Sequence, residues 1–175
     1  LQDMGIPVVK DLPGVGQNLR DHPVVFVTWS TKTDHPLDGY APRLQTNLRW
    51  TAEGSDLRND LLIFMISYAT DRAYRGVGDI PPLGIRMMAS LELALSAGEL
   101  RLSSTDPDEQ PFLDYRYFQR EEDLRRMREA VRLCVSLGEH ERFNDIIESR
   151  IEPTDEELAS DEDLNTYMTR EVTTG

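Results

Sequence analysis

The hydrophobic pattern of the 175-residue chain changes once, near residue 105, and this change constrains the fold more than any other feature. Before it lie short segments rich in strand-forming residues and bounded by Gly, Pro, Asp or Asn. The predicted strands cover residues 24–30, 61–69, 85–95 and 99–104. The spacing of residues 44–50 fits either a strand or a helical turn. Strands first and helices later indicate an α+β domain, with a mainly antiparallel sheet and helices packed on one face.

The last two predicted strands are expected to form a hairpin. Their sequence, LELALSAGELRLSS, places alternating leucines on both sides of a short turn at residues 96–98. Gly98 can adopt the positive φ that a tight turn often requires. The pattern therefore predicts that 85–95 pairs with 99–104 in antiparallel fashion.

After residue 105 the apolar residues recur at helical spacing. A helix is predicted from Glu121 to about Leu137, and Gly138 follows where such a helix would end. Four residues of its apolar stripe should be buried: Leu124, Met127, Val131 and Cys134.

Two shorter helices are predicted near the end of the chain. Thr154 and Ser160 each precede an acidic residue by three positions, which is the spacing of a capping box. The apolar face of the second of these helices comprises Leu164, Tyr167, Met168 and Val172.

Charge and cysteine content exclude several classes of partner. The net charge of −13 argues against nucleic acid and anionic membrane surfaces, which bind to basic patches. The longest apolar run is far shorter than the roughly 20 residues of a membrane span. A single cysteine, Cys134, excludes an internal disulfide and favours a reducing, cytoplasmic location. The three histidines are far apart in the sequence, so no metal site is predicted.

Residues 12–23, LPGVGQNLRDHP, are the part of the chain richest in chemically informative residues. A dinucleotide-binding turn needs G-x-G-x-x-G, and Leu19 stands where the third glycine belongs. A hydrolytic triad is disfavoured because no serine lies in a G-x-S-x-G elbow. Asn18 and Asp21 fit capping or Asx-turn roles, with proximity to a bound ligand as the alternative.

Three segments of the chain carry a family resemblance. GIPVVKDLPGVGQNLRDHP closely resembles a segment of the glucose-methanol-choline (GMC) flavoprotein oxidoreductases. SAGELRLSSTDPDEQPFLDYRYFQREEDLRRMREAVRL is similar to the C-terminal region of that family, and LASDEDLNTYMTREVTTG to its last helix before the catalytic histidine. The resemblance implies an FAD-dependent oxidation of a small-molecule alcohol, and a substrate-binding domain that resembles choline dehydrogenases.

The resemblance also implies a division of the chain. Residues 1–23 correspond to a residual FAD-domain or linker segment, and 24–175 to the substrate-binding domain. In the family, the main FAD-binding motif would lie before Leu1 and the catalytic histidine after Gly175. No catalytic residue is therefore expected within the chain, and residues 1–175 by themselves are expected to be inactive.

Within the loop, the resemblance suggests a role for each residue. Gly14 and Gly16 would turn the chain, Asn18 and Asp21 would fix the turn, and His22 would face the substrate together with Val24. Choline-oxidising relatives have a glutamate at the position of Val24. Its absence implies an alcohol less charged than choline, since a buried quaternary ammonium favours a carboxylate or an aromatic cage.

Several aromatic and sulphur-containing residues have two interpretations, as core or as pocket lining, and the core is favoured. They are Trp29, Trp50, Phe64, Tyr68, Met65, Met87 and Met88, and Cys134 is assigned to the core alone. Two other functions stay open: a non-catalytic binding module that kept the substrate-domain sheet, and a small hydrolase. The identity of the alcohol, the electron acceptor and the oligomeric state are not specified by the sequence.

Overall fold

The structure is a computed structural model that describes residues 1–35, 42, 44–69 and 84–175. Its strands are β1 (Gln17–Leu19), β2 (Pro23–Thr31), β3 (Leu44–Trp50), β4 (Leu61–Ala69), β5 (Gly84–Leu91), β6 (Gly98–Arg101), β7 (Phe112–Asp114), β8 (Ile147–Glu152) and β9 (Thr173–Thr174). Its α-helices are α1 (Glu121–Gly138), α2 (Asp155–Leu158) and α3 (Asp161–Glu171), and short 3₁₀ helices cover Gln2–Met4 and Glu141–Phe143.

The main sheet has six antiparallel strands arranged around β2. The order β3-β4-β5-β2-β8 places β2 beside β5, and the opposite edge of β2 is shared by β8 and β9. Residues 23–29 of β2 are all buried because the strand has neighbours on both edges and packing on both faces. The sequence allowed either a strand or a helical turn for residues 44–50, and the structure has strand β3 there.

One face of this sheet packs against α1 and forms the main core. Side chains alternate between the two faces of a strand, so every second residue of β2 points towards the helix. The core residues that β2 and α1 contribute are Val25, Val27, Trp29, Met127, Val131 and Cys134. The predicted helix and its buried stripe are confirmed, except that Leu124 is only partly buried. The α+β prediction, with a mainly antiparallel sheet and helices on one face, is confirmed.

Gly138 is the last residue of α1, and the reason for glycine there is the contact with the sheet. A Cβ at this position would overlap the indole ring of Trp29. Glycine therefore lets the end of the helix approach β2 closely, which explains why Trp29 can be only 2% exposed.

The predicted hairpin between 85–95 and 99–104 is wrong. Strand β5 ends at Leu91, and β6 pairs instead with β1 and β7 in a separate three-stranded antiparallel sheet. The cause is a contact with α1 that is distant in sequence. The buried carboxylate of Asp123 accepts the backbone N–H groups of Leu95 and Ser96 at 2.9 and 2.7 Å, so these residues leave the sheet.

The predicted helix starts at Thr154 and Ser160 are confirmed. Thr154 caps α2 in a complete capping box with Glu157, and the Ser160 hydroxyl accepts the Asp163 N–H at the start of α3. Capping satisfies N–H groups that have no partner inside a helix. It allows the buried side of α3 to lie against the core beside α1, through Leu164, Tyr167 and Met168.

Candidate functional site

The face of the six-stranded sheet opposite α1, here called the second face, carries the candidate site. Three rows of side chains cross it from β4 through β5 to β2. These rows are Leu62–Ser90–Val24, Phe64–Met88–Phe26 and Ile66–Arg86–Thr28. Val24, Phe26 and Ile66 form a second apolar cluster with Met88 packed against it. The second face is therefore apolar in its middle. His22 and Glu92 lie at one end of it, and the ion pair of Arg86 and Glu152 lies at the other end.

The glycines of the 12–23 loop have different surroundings. Gly16 has φ +80°, and a Cβ there would overlap the carbonyl oxygen of Leu100, whose own N–H donates to the Gly16 oxygen at 2.7 Å. Gly14 has open space around it. The hydrogen bond from Leu100 connects this turn to β6. The turn leads into strand β1 rather than into a helix, so it does not fit the pyrophosphate of a dinucleotide.

Asn18 and Arg20 attach the loop to the segment that follows β5. Asn18 has φ 60°, a left-handed conformation that asparagine tolerates. Its side-chain oxygen accepts a hydrogen bond from Arg20 Nε at 3.1 Å, and Arg20 also donates to the Ala94 carbonyl at 2.8 Å. This contact orients Arg20 and is a side-chain-to-side-chain bond, whereas an Asx turn bonds the backbone, so the Asx role of Asn18 stays a prediction.

His22 lies at the rim of the second face and is paired with a carboxylate. Its Nδ1 is 3.6 Å from Glu92 Oε2, and the two side chains are 52% and 23% exposed. The other oxygen of Glu92 accepts a hydrogen bond from Ser90 Oγ at 2.7 Å. Ser90 is the β5 partner of Val24. The Glu92 carboxylate is therefore near Val24, the position at which the resemblance to choline-oxidising relatives would place a glutamate.

Val24 is fully buried and contacts the end of the chain described by the structure. It pairs with Thr173 of β9 on one side and with Ser90 on the other. Gly175 N–H donates to the His22 carbonyl at 3.1 Å. A Cβ at Gly175 would lie 3.0 Å from Val24 Cγ2, so Gly175 fits tightly against His22 and Val24.

Asp21 accepts a hydrogen bond from a segment far along the chain. Tyr117 Oη donates to its carboxylate. Burial by itself raises the pKa of the Asp21 carboxyl, but the hydrogen bonds from Thr174, Tyr117 and the His22 backbone outweigh it and lower the pKa. Burial and the Asp21 carboxylate together raise the pKa of Tyr117. Asp21 is therefore ionised, and Tyr117 protonated, near neutral pH.

An ion pair occupies the other end of the second face. Arg86 donates from Nε to Thr28 Oγ1 at 3.1 Å and lies 3.5 Å from Glu152 Oε1, while Thr28 donates to the same Glu152 oxygen at 2.8 Å. The guanidinium also lies over the ring of Phe26, 4.7 Å from its centroid. These contacts neutralise the buried arginine.

The aromatic and sulphur-containing candidates are distributed over both faces. Trp29 and Met87 are buried in the main core, Met65 packs against it, and Cys134 is fully buried there. Trp50 is 43% exposed and donates to Glu129 at 2.9 Å. Phe64 and Met88 lie in the middle row of the second face. The side chain of Tyr68 is outside the described residues.

Sequence reasoning did not identify three residues that this geometry brings to the site. They are Glu92, Tyr117 and Arg86. Each contacts a loop or β2 residue more than 50 positions away, so no local spacing could reveal the contact. The signal was the alternation in β5, which places Arg86 and Ser90 on one face, with Glu92 directly after the strand.

Within the described residues, no group of three or more His, Cys, Asp and Glu side chains could hold a metal ion. Among the helices of the same residues, none has the length and apolar character needed to cross a membrane.

Comparison with known proteins finds relatives that are oxidoreductases. The GMC oxidoreductase family profile matches residues 94–175. An oxygen-dependent choline dehydrogenase of Chromohalobacter salexigens is 24% identical over 99% of the chain, and one of Burkholderia lata is 29% identical over 75%. The chain spans 35% and 27% of the lengths of these relatives.

Solved structures share the fold. Pyridoxine 4-oxidase from Mesorbium loti superimposes with a TM-score of 0.79 at 16% identity, over 99% of this chain and 34% of that protein. Formate oxidase of Aspergillus oryzae, a structure that concerns modification of its FAD, superimposes with a TM-score of 0.77 at 22% identity over 99% of this chain and 38% of that protein.

Proposed function

Because residues 94–175 match the GMC oxidoreductase family, we propose that the chain forms the substrate-binding part of an FAD-dependent enzyme that oxidises the CH–OH group of a small-molecule alcohol. The relatives named above support the reaction class, since they are dehydrogenases and oxidases. The share of their length that the chain spans supports the view that other parts of the enzyme hold the flavin.

The observation that carries the proposal is the His22–Glu92 pair beside Gly175. Glu92 favours a proton on Nδ1 of His22, because that nitrogen faces its carboxylate. Nε2 is then an acceptor and can receive a hydrogen bond from the hydroxyl of an alcohol. The roughly half-exposed position of His22 keeps this nitrogen accessible.

Other residues of this chain shape the site and exclude water from it. Phe64 and Met88, both partly exposed in the middle row of the second face, supply apolar surface for the carbon skeleton of the substrate, and the buried Val24 and Phe26 lie beside them. Asp21 and Asn18 hold the loop that carries His22. A bound flavin would supply the hydride acceptor. The 12–23 loop leads into strand β1 and does not fit the flavin's pyrophosphate, so the proposal assigns flavin binding to other parts of the enzyme. A cytoplasmic location and a small-molecule partner stay predictions.

The experiment uses the full-length gene product and follows the flavin absorbance when alcohols are added without oxygen. The proposal expects bound flavin that is bleached by at least one alcohol. Residues 1–175 purified by themselves should be colourless and inactive. Absence of flavin from the full-length product, or flavin that no alcohol reduces, would favour a non-catalytic binding module instead.

A further inference from the structure

The segment that carries Glu92 is held in place by hydrogen bonds along its backbone. It comprises residues 92–96, between β5 and β6, and is called the 92–96 segment below. Its first N–H, that of Glu92, donates to the Asp60 carbonyl at 2.9 Å. Two buried side chains of α1 bond to the residues that follow: Arg126 donates to a carbonyl oxygen at 3.0 Å, and Asp123 accepts two N–H groups at 2.9 and 2.7 Å. The 92–96 segment is therefore a fixed support for the side chains that it carries.

Arg20 attaches the 12–23 loop to this segment. Its Nη1 donates to the carbonyl oxygen of Ala94 at 2.8 Å, and its Nε donates to Oδ1 of Asn18 at 3.1 Å. Ala94 is only 9% exposed, so this acceptor lies in a fixed position. The donors of a guanidinium have a rigid planar geometry, and two acceptors therefore hold it in one orientation.

The positions of Arg20 and Ala94 in the sequence determine what this hydrogen bond does. Arg20 precedes His22 by two residues, and Ala94 follows Glu92 by two residues. The bond therefore connects the two segments that carry His22 and Glu92, close to both side chains. The hydrogen bond from Tyr117 reaches the loop from a different segment, so it does not by itself fix the distance between these two side chains.

The His22–Glu92 pair is too weak to hold the two segments together without such support. Its atoms are 3.6 Å apart, which is longer than the about 2.7–3.2 Å of a hydrogen bond from nitrogen to oxygen. The His22 side chain is 52% exposed, and ion pairs exposed to water contribute little to stability. The geometry of the pair therefore depends on contacts of the backbone on either side of it.

We propose that Arg20 is a positioning residue, which holds the 12–23 loop on the 92–96 segment and so keeps Nδ1 of His22 beside the Glu92 carboxylate. The catalytic part of this inference rests on the proposed function, because it requires that His22 contacts the alcohol. The structural part, which is the attachment of the loop, depends only on the hydrogen bonds given above.

The structural part is tested by amide hydrogen exchange on the full-length gene product. Arg20→Met keeps an apolar stem and removes both hydrogen bonds of this exposed side chain, so the amides of residues 17–22 should exchange about tenfold faster. Arg132→Met is the matched control, because it removes the same charge from another exposed arginine, and it should leave this exchange unchanged. Unchanged exchange in Arg20→Met, or equal acceleration in the control, would overturn the inference.

The catalytic part is tested by a double-mutant cycle on kcat/KM for the preferred alcohol, again in the full-length gene product. Arg20→Met should lower kcat/KM about fivefold, with flavin content unchanged. In the His22→Ala background the same substitution should change kcat/KM by less than about twofold, because a residue that acts through His22 then has nothing to position. A merely structural residue would cause the same loss in both backgrounds, and that result, or full activity of Arg20→Met, would overturn the positioning role.

The two tests separate this inference from the proposed function. If the wild-type protein oxidises no alcohol, the proposed function fails, and with it the catalytic part. Hydrogen exchange still decides in that case whether Arg20 holds the loop on the 92–96 segment.

Discussion

At the scale of single residues, a buried charge cluster links α1 to the strands. Arg126 is 1% exposed and donates to Asp60 at 2.9 Å, to Asp123 at 2.6 Å and to the Leu93 carbonyl at 3.0 Å. The apolar stripe of α1 was predictable from its spacing. The burial of Arg126 was not, because arginine is usually exposed and two of its partners, Asp60 and Leu93, lie in loops far from α1 in sequence.

Arg126→Met should destabilise the fold strongly. It removes the cation that two buried carboxylates share, and breaking a buried pair in this way costs about 3–5 kcal/mol. Arg132→Met is the matched control on the same helix, since Arg132 pairs with the exposed Asp161, and it should cost at most about 1 kcal/mol. Urea unfolding measures both. Equal losses for the two variants would show that the cluster contributes nothing particular.

The same cluster predicts a dependence of stability on pH. Burial raises the pKa of the Asp60 carboxyl, but hydrogen bonds from Ser55, the Ala52 N–H and Arg126 outweigh it, so the pKa is lowered in the folded state. A lowered pKa stabilises the fold above the ordinary value of about 4, and this stabilisation is lost as the pH falls through the folded value. Asp60→Asn should flatten the decrease of unfolding free energy below about pH 4. An identical decrease in wild type and variant would refute this assignment.

At the scale of elements, local patterns predicted what depends on local contacts. The strands 24–30 and 61–69, helix α1 and the caps at Thr154 and Ser160 all follow from spacing within one segment. The hairpin prediction failed because Asp123, far along the chain, binds the backbone at Leu95 and Ser96. Strands such as β1 and β9 have two or three residues, too few to show a period.

The two loop glycines provide a matched pair of variants at this scale. Gly16→Ala should weaken the pairing of β1 with β6 by about 2 kcal/mol, because the left-handed φ alone costs about 1–2 kcal/mol and the methyl group overlaps Leu100. Gly14→Ala has open space and should change little. Exchange of the Leu100 amide, which donates to Gly16, should become roughly 30-fold faster in the first variant only. Similar effects of both variants would show that the loop has no special conformation at Gly16.

At the scale of the whole molecule, the fold class followed from the sequence and the resemblance to the GMC family agrees with the family match over residues 94–175, while the site could be predicted only in part. The loop at 12–23 identified where His22 lies. Its partners did not follow, since Glu92 and Tyr117 contact the loop from segments distant in sequence. The inference from Val24 to a less charged alcohol considered β2 alone, whereas Glu92, directly after the end of β5, places a carboxylate 3.6 Å from His22. An inference about the charge of the substrate therefore has to take both Val24 and Glu92 into account.

The central claim is that residues 1–175 provide the substrate side of an alcohol-oxidising site, with His22 at its rim. Its most direct test is the specificity constant kcat/KM for the preferred alcohol in the full-length gene product, compared between wild type, His22→Ala and His35→Ala. His35 lies beyond the other end of β2 and serves as the control. The account predicts that His22→Ala lowers kcat/KM about tenfold or more, about 1.4 kcal/mol of transition-state stabilisation, with flavin content unchanged. It predicts no change for His35→Ala. Full activity in His22→Ala, or an equal loss in both variants, would contradict it.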